Sequence, residues 1–229
     1  SEIGKRDVAV VVGCGPIGLA VIAMLKAADV RTVVASDPSD GRRALARRVG
    51  ADIVVDPAVD SPWDKAAEQG GYITTAGDLL GAAFAGMRTL RRIPVVPWAS
   101  MFRMADRLGA TPKGPVVFEC VGTPGIIEHV VSSAPFRSRI VVVGVCMEPD
   151  TFRPAMAINK ELEMRFVFAY DPAEFHHTLS MIADGTLDVG PLITATVGLD
   201  GVSAAFDALG SAEHHAKVLI DPTSEVSAL

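Results

Sequence analysis

Five apolar residues, Val8 to Val12, run directly into Gly13-Cys14-Gly15-Pro16-Ile17-Gly18 and then into a helical stretch from Ile17 to Ala28. An unbroken, mostly β-branched run of that length reads as a strand buried on both faces, the kind found in parallel sheets. The glycine spacing behind it gives each glycine a task. Gly13 permits the tight strand-to-helix turn, Gly15 lets the backbone approach a pyrophosphate, and Gly18 lets helix and strand pack closely. Beyond them the helix N-terminus directs free N–H groups and partial positive charge toward phosphates. No Lys-Ser or Lys-Thr follows the glycines, which excludes a mononucleotide P-loop.

The β-α-β unit closes with Thr32 to Ser36, a second buried strand ending at Asp37. A carboxylate about 20 residues past the glycines is placed to bind both hydroxyls of an adenosine ribose. It would repel a 2′-phosphate, so NAD is expected rather than NADP. Arg42 and Arg43 follow closely, and a nearby arginine can accommodate that phosphate. As part of a helix with Arg47 and Arg48 they also read as a solvated face. Arg42 stands with Asp37 among the candidate cofactor contacts.

The 229 residues are 49% hydrophobic and 21% charged, enough to bury a substantial core. A net charge of −6 gives no electrostatic footprint for nucleic acid. No apolar run reaches membrane-spanning length and no charged-then-apolar leader precedes the first strand, so a soluble, cytoplasmic protein without a membrane partner is expected. Cys14, Cys120 and Cys146 each sit at the end of a predicted strand, show no zinc or redox spacing, and read as small buried hydrophobes. The adjacent pairs His176-His177 and His214-His215 diverge on a helix and make poor chelators. No metal-ligand set and no catalytic acid or base is expected in the chain.

Beyond Asp37 the pattern predicts a helix over Ser39 to Val49 capped by Gly50, a short third strand over Ala51 to Pro57 stopped by its proline, and a fourth over Pro115 to Cys120. Trp98, Met101, Phe102, Ala105 and Leu108 recur at helical spacing between Pro97 and Gly109, as expected for the crossover into that fourth strand. The stretch at about 68–96 is then an insertion. Within it Thr75-x-x-Asp78 resembles a capping box, and Leu79, Leu80, Ala83, Phe84, Met87 and Leu90 share one helix face, with Arg88, Arg91 and Arg92 near its end. That helix serves either a partner or its own domain. A helix from Gly125 to Ala134, strands over Arg139 to Gly144 and Glu163 to Ala169, and a helix from Pro172 to Ala183 complete a doubly wound α/β Rossmann sheet of order 3-2-1-4-5-6. Its ligand crevice lies at the carboxyl ends of the strands. The expected division is a dinucleotide-binding domain over 1–191 and a tail over 192–229 whose strand, helix and strand need a partner sheet.

At these residues the chain resembles the cofactor-binding half of the zinc-type medium-chain alcohol dehydrogenases, a family that includes sorbitol, threonine and butanediol dehydrogenases. The resemblance rests on Val12 to Gly18, Ser36-Asp37-Pro38, Arg47 to Asp52, Val117 to Gly122, Ile140 to Gly144, Gly201 to Phe206 and Lys217 to Ile220. It implies pyrophosphate contacts at Gly15, Pro16 and Ile17, a ribose contact at Asp37, and adenosine contacts at Val121 and Gly122. It further implies nicotinamide contacts around Val143, Gly144, Val145 and Phe168 to Tyr170, with Lys217 near the phosphates.

In that family the catalytic zinc, its ligands and the proton relay come from a domain mostly upstream of the cofactor half, and this chain begins just before the first strand. Nor does a lysine follow Tyr72 or Tyr170 at the short-chain dehydrogenase spacing. Two readings stand. One is the NAD-binding portion of a zinc-dependent alcohol or polyol dehydrogenase, meeting its alcohol only with the missing domain. The other is a stand-alone NAD-binding or sensing module without activity. A homo-oligomer is expected in either case.

Overall fold

The computed structural model describes residues 1–90, 113–210 and 214–228. From the amino terminus come β1 (Val8–Val12), α1 (Pro16–Ala27), β2 (Thr32–Ser36), α2 (Asp40–Val49) and β3 (Ile53–Val55). They are followed by α3 (Pro62–Gly70), α4 (Ala76–Leu90), β4 (Val116–Glu119), α5 (Ile126–Ser133) and β5 (Arg139–Val142). Then come α6 (Pro154–Asn159), β6 (Glu163–Phe166), α7 (Pro172–Ala183), β7 (Ile193–Val197), α8 (Val202–Gly210) and β8 (Lys217–Ile220).

Strands β1 to β6 form a parallel sheet in the order β3-β2-β1-β4-β5-β6, the expected Rossmann arrangement. Successive residues of a strand face opposite sides, and both sides are apolar here. Ala9, Val11, Val33, Ala35 and Phe118 pack under α1 and α2, with Leu19, Ile22 and Leu45. Val8, Val10, Val34 and Val117 pack under α3 and α5, with Trp63, Ala66, Val130 and Val131. The strand reversal falls between β1 and β4, where a crevice opens at the carboxyl ends.

Several local expectations hold. Ser39 caps α2 by accepting from the Arg42 N–H at 3.1 Å, and Gly50 ends it in the left-handed region at φ 111°. Thr75 caps α4, its hydroxyl accepting from the Asp78 N–H at 3.1 Å. Others need correction. The sheet face between β3 and β4 is covered by α3, started by the Ser61 cap and Pro62. The crossover helix expected over 97–109 lies outside the described residues, as do Arg91 and Arg92. The fifth and sixth strands end earlier than expected, at Val142 and Phe166, and β6 is mostly exposed.

The segment after α3 meets the sheet at its amino ends, since the Ile73 carbonyl accepts from the Phe136 N–H at 2.9 Å just ahead of β5. Gly114 rejoins at the same end, donating to the Arg137 carbonyl. Both junctions therefore lie opposite the carboxyl-end crevice. Leu79, Leu80 and Phe84 of α4 are exposed. In the tail, β7 and β8 pair in parallel with each other, and Leu192 and Ala216 pack against the core under α1.

Candidate functional site

The loop between β1 and α1 is built backbone on backbone. Gly13 donates to the Ser36 carbonyl at 2.8 Å and sits at φ 92°, a conformation that side-chain-bearing residues rarely adopt. A Cβ on Gly18 would lie 1.9 Å from the Gly13 carbonyl oxygen, so only glycine allows α1 to start this close to β1. Gly15 differs from both. It is the N-cap of α1, has no side-chain cap, and a Cβ there would meet nothing within 4 Å. Its open side and the free first-turn N–H groups of Ile17 and Gly18 form a cradle for an anion.

Asp37, 3% exposed, closes one end of this loop. Its Oδ2 accepts from the Cys14 N–H and its Oδ1 from the Ser39 N–H, each at 2.8 Å. The Arg42 guanidinium stands 3.9 Å from the same carboxylate and is half-buried. Arg43 overturns the solvated-face reading. It is buried, its Nη1 donating to the Asp37 and Pro38 carbonyls at 2.7 Å each, with Asp40 and Asp56 as ion partners. One arginine of the pair is thus locked into the β2–α2 turn while the other faces the crevice. Arg47 and Arg48 are exposed as expected.

At the switch point lies a cleft of about 420 Å³. One side is formed by Gly13, Gly15, Pro16, Asp37, Pro38 and Arg42, the other by Pro57, Pro62, Trp63, Val121, Ile126 and His129. Sequence reasoning found the first side and only Val121 of the second. Trp63 had a usable signal, the Ser61-Pro62 helix start, whereas His129 shows no pattern that marks it out.

The remaining candidates lie elsewhere. Gly18 works behind the loop, and Gly122 and Gly144 pack backbone to backbone, a Cβ on Gly144 falling 2.4 Å from the Gly122 nitrogen. The buried Glu119, which the motif reading passed over as a side chain, holds both loops. Its carboxylate accepts from the N–H groups of Val121 at 2.6 Å and Gly122 at 2.8 Å, and its carbonyl from Val143 and Gly144 at 2.9 Å. Val145 and Tyr170 are exposed beyond the ends of β5 and β6, Tyr170 stacking on Phe175 with centroids 5.7 Å apart. Neither lines the cleft. Lys217 lines a separate apolar hollow of about 370 Å³ with Pro16 and Ile17, beside the α1 N-terminus.

Cys14 and Cys120 are packed together against the α1 core. Burial, reinforced by the Asp37 charge for Cys14 and the Glu119 charge for Cys120, pushes both thiols up to about 12. Cys146 is partly exposed. Among the described residues no three His, Cys, Asp or Glu side chains converge to hold a metal ion, so these residues do not fit a zinc site. No helix among them is long and apolar enough to cross a membrane.

Residues 16–85 match the family model described as zinc-binding dehydrogenase. The (R,R)-butanediol dehydrogenase of Neisseria gonorrhoeae is 26% identical over 221 residues, covering 94% of this chain and 50% of that protein. The solved 2R,3R-butanediol dehydrogenase of Bacillus subtilis superposes with a TM-score of 0.67 at 26% identity, over 97% of this chain and 53% of that one. Over most of its length the chain is therefore similar to zinc-type medium-chain dehydrogenases. The sorbitol dehydrogenase of Rattus norvegicus is a further relative, 26% identical over 197 residues, 86% of this chain and 44% of its own length. The chain spans about half the length of the curated relatives it matches, and the match covers the cofactor-binding half.

Proposed function

We propose that the chain is the NAD-binding portion of a zinc-dependent alcohol or polyol dehydrogenase, with hydride passing from an alcohol to the dinucleotide. The observation that carries the reading is Gly15, an uncapped helix N-cap whose open side faces a 420 Å³ cleft ending at a buried carboxylate. Pyrophosphate lies on the N–H groups of Ile17 and Gly18, and Asp37 takes the ribose hydroxyls and excludes a 2′-phosphate. Arg42, 3.9 Å away, faces the same ribose and shares the Asp37 charge. The bound dinucleotide supplies the hydride acceptor. The Glu119-pinned loops at Val121 to Gly122 and Val143 to Val145 direct it along the carboxyl ends of β4 and β5, with Tyr170 at the far end.

In this reading residues 1–191 are the dinucleotide-binding domain, with an insertion placed at about 68–96, and 192–229 are the return toward a catalytic domain. The family resemblance of the tail supports that division. Phe166, Phe168 and Tyr170, exposed along β6 and its continuation, support a homo-oligomer.

The reading is tested by titrating the chain with NAD and NADP and by assaying alcohol oxidation with added zinc. NAD is expected to bind more tightly than NADP, without turnover by this chain alone. Equal or tighter NADP binding overturns the choice of cofactor, and binding of neither overturns the reading.

A further inference from the structure

The two sides of the cleft differ in chemistry. Asp37 and Arg42 supply charge on one side, whereas the other is made of proline, valine, isoleucine and Trp63 apart from His129. His129 sits one turn along α5 from Ile126, on the same helix face, so both side chains reach the cleft. Its backbone N–H is satisfied by the Gly125 carbonyl at 3.0 Å, and its exposed imidazole has no hydrogen-bond partner among the described residues. Trp63 can only donate, so the strong side-chain acceptor on this wall is the unprotonated nitrogen of His129.

We propose that His129 reads the base of the dinucleotide, its bare imidazole nitrogen accepting a hydrogen bond from a purine 6-amino group. The inference rests on the dinucleotide reading above and deepens it. With the ribose at Asp37, the base extends toward the apolar wall, where Trp63, Val121 and Ile126 supply area and His129 supplies direction. The adenine amine is a donor, while the adenine ring nitrogens only accept. A 6-oxo purine puts an acceptor where the amine was, so the bond to the bare nitrogen is lost and the imidazole must turn its N–H toward the oxygen to replace it.

The test is calorimetric titration of the 229-residue chain with NAD and with nicotinamide hypoxanthine dinucleotide, in wild type, His129→Ala and His129→Gln. Wild type should favour NAD by about five-fold, the range of one uncharged hydrogen bond. His129→Ala should bring that ratio to about unity with NAD still bound, and His129→Gln, which offers an amide oxygen, should restore part of it. An unchanged ratio in His129→Ala, a wild-type ratio near unity, or no recovery in His129→Gln overturns the assignment of His129 alone. Failure of the wild type to bind either dinucleotide overturns the NAD reading and this inference with it.

Discussion

The Asp37 carboxylate and the Cys14 backbone N–H are joined by a 2.8 Å hydrogen bond that ties the end of β2 to the glycine loop after β1. The residue expected to read a ribose is therefore also what holds the glycine loop in shape. Both its oxygens are already engaged by backbone N–H groups, and carboxylate oxygens have lone pairs to spare for a ligand. Loop geometry and, in the proposed function, cofactor choice thus depend on one buried side chain.

Asp37→Ala should accordingly do more than change cofactor preference. It strands two N–H groups in a buried place, at about 2–4 kcal/mol, read as a lower urea midpoint with an unchanged slope. Asp37→Asn keeps an acceptor oxygen and should lose about half as much. An unchanged midpoint in Asp37→Ala would contradict the structural role.

Gly15 and Gly18 should separate binding from folding. Gly18→Ala forces a Cβ to 1.9 Å from a backbone carbonyl and should cost about 3 kcal/mol in thermal or urea unfolding. Gly15→Ala adds its methyl to open space at an ordinary extended conformation, φ −70° and ψ −173°. Its stability should stay within about 1 kcal/mol of wild type, while NAD affinity falls at least about tenfold because the methyl fills the approach to the loop.

The thiols should be unequal toward alkylation. With Cys14 and Cys120 pushed up to about 12, native protein at pH 8 should take up one iodoacetamide, at Cys146, and three after denaturation. The linkage has a definite sign. The unfolded thiols lose their protons near the ordinary value of 9.0, before the folded ones, so stability is retained below pH 9 and declines as pH rises from 9 toward 12. Intact mass and urea midpoints across that window check both statements.

Lys160 ends α5 from outside the helix. Its buried ammonium donates to the Ser132 and Ala134 carbonyls at 2.6 and 2.9 Å, and α5 carries Ile126 and His129 into the cleft. Lys160→Met should lower stability by about 2 kcal/mol and weaken NAD binding in parallel, measured by urea unfolding and calorimetry.

The sheet order was legible because each central strand is a short apolar run and the reversal at β1 follows from the glycine loop and the crossovers. The loop itself and Asp37 were legible for the same reason: their chemistry is local. Helix α3 was hidden because its buried residues are Pro62, Trp63 and Ala66, too few for a clear period. Arg43 could not be told from Arg42 in sequence. Its burial depends on carbonyls of the β2–α2 turn and on Asp56, brought alongside only by the pairing of β2 with β3. The Trp63, Ile126 and His129 wall joins α3 and α5 across the sheet, a contact that no local pattern encodes.

We propose that the cleft at the β1–α1 loop holds a dinucleotide. Backbone amide NMR of the labelled chain, titrated with NAD, tests it residue by residue. The largest shifts should fall on Gly15, Ile17 and Gly18, with smaller ones at Val121, Gly122 and Ile126. Saturable binding that leaves those amides in place and moves another surface, or no shift at millimolar NAD, would contradict it.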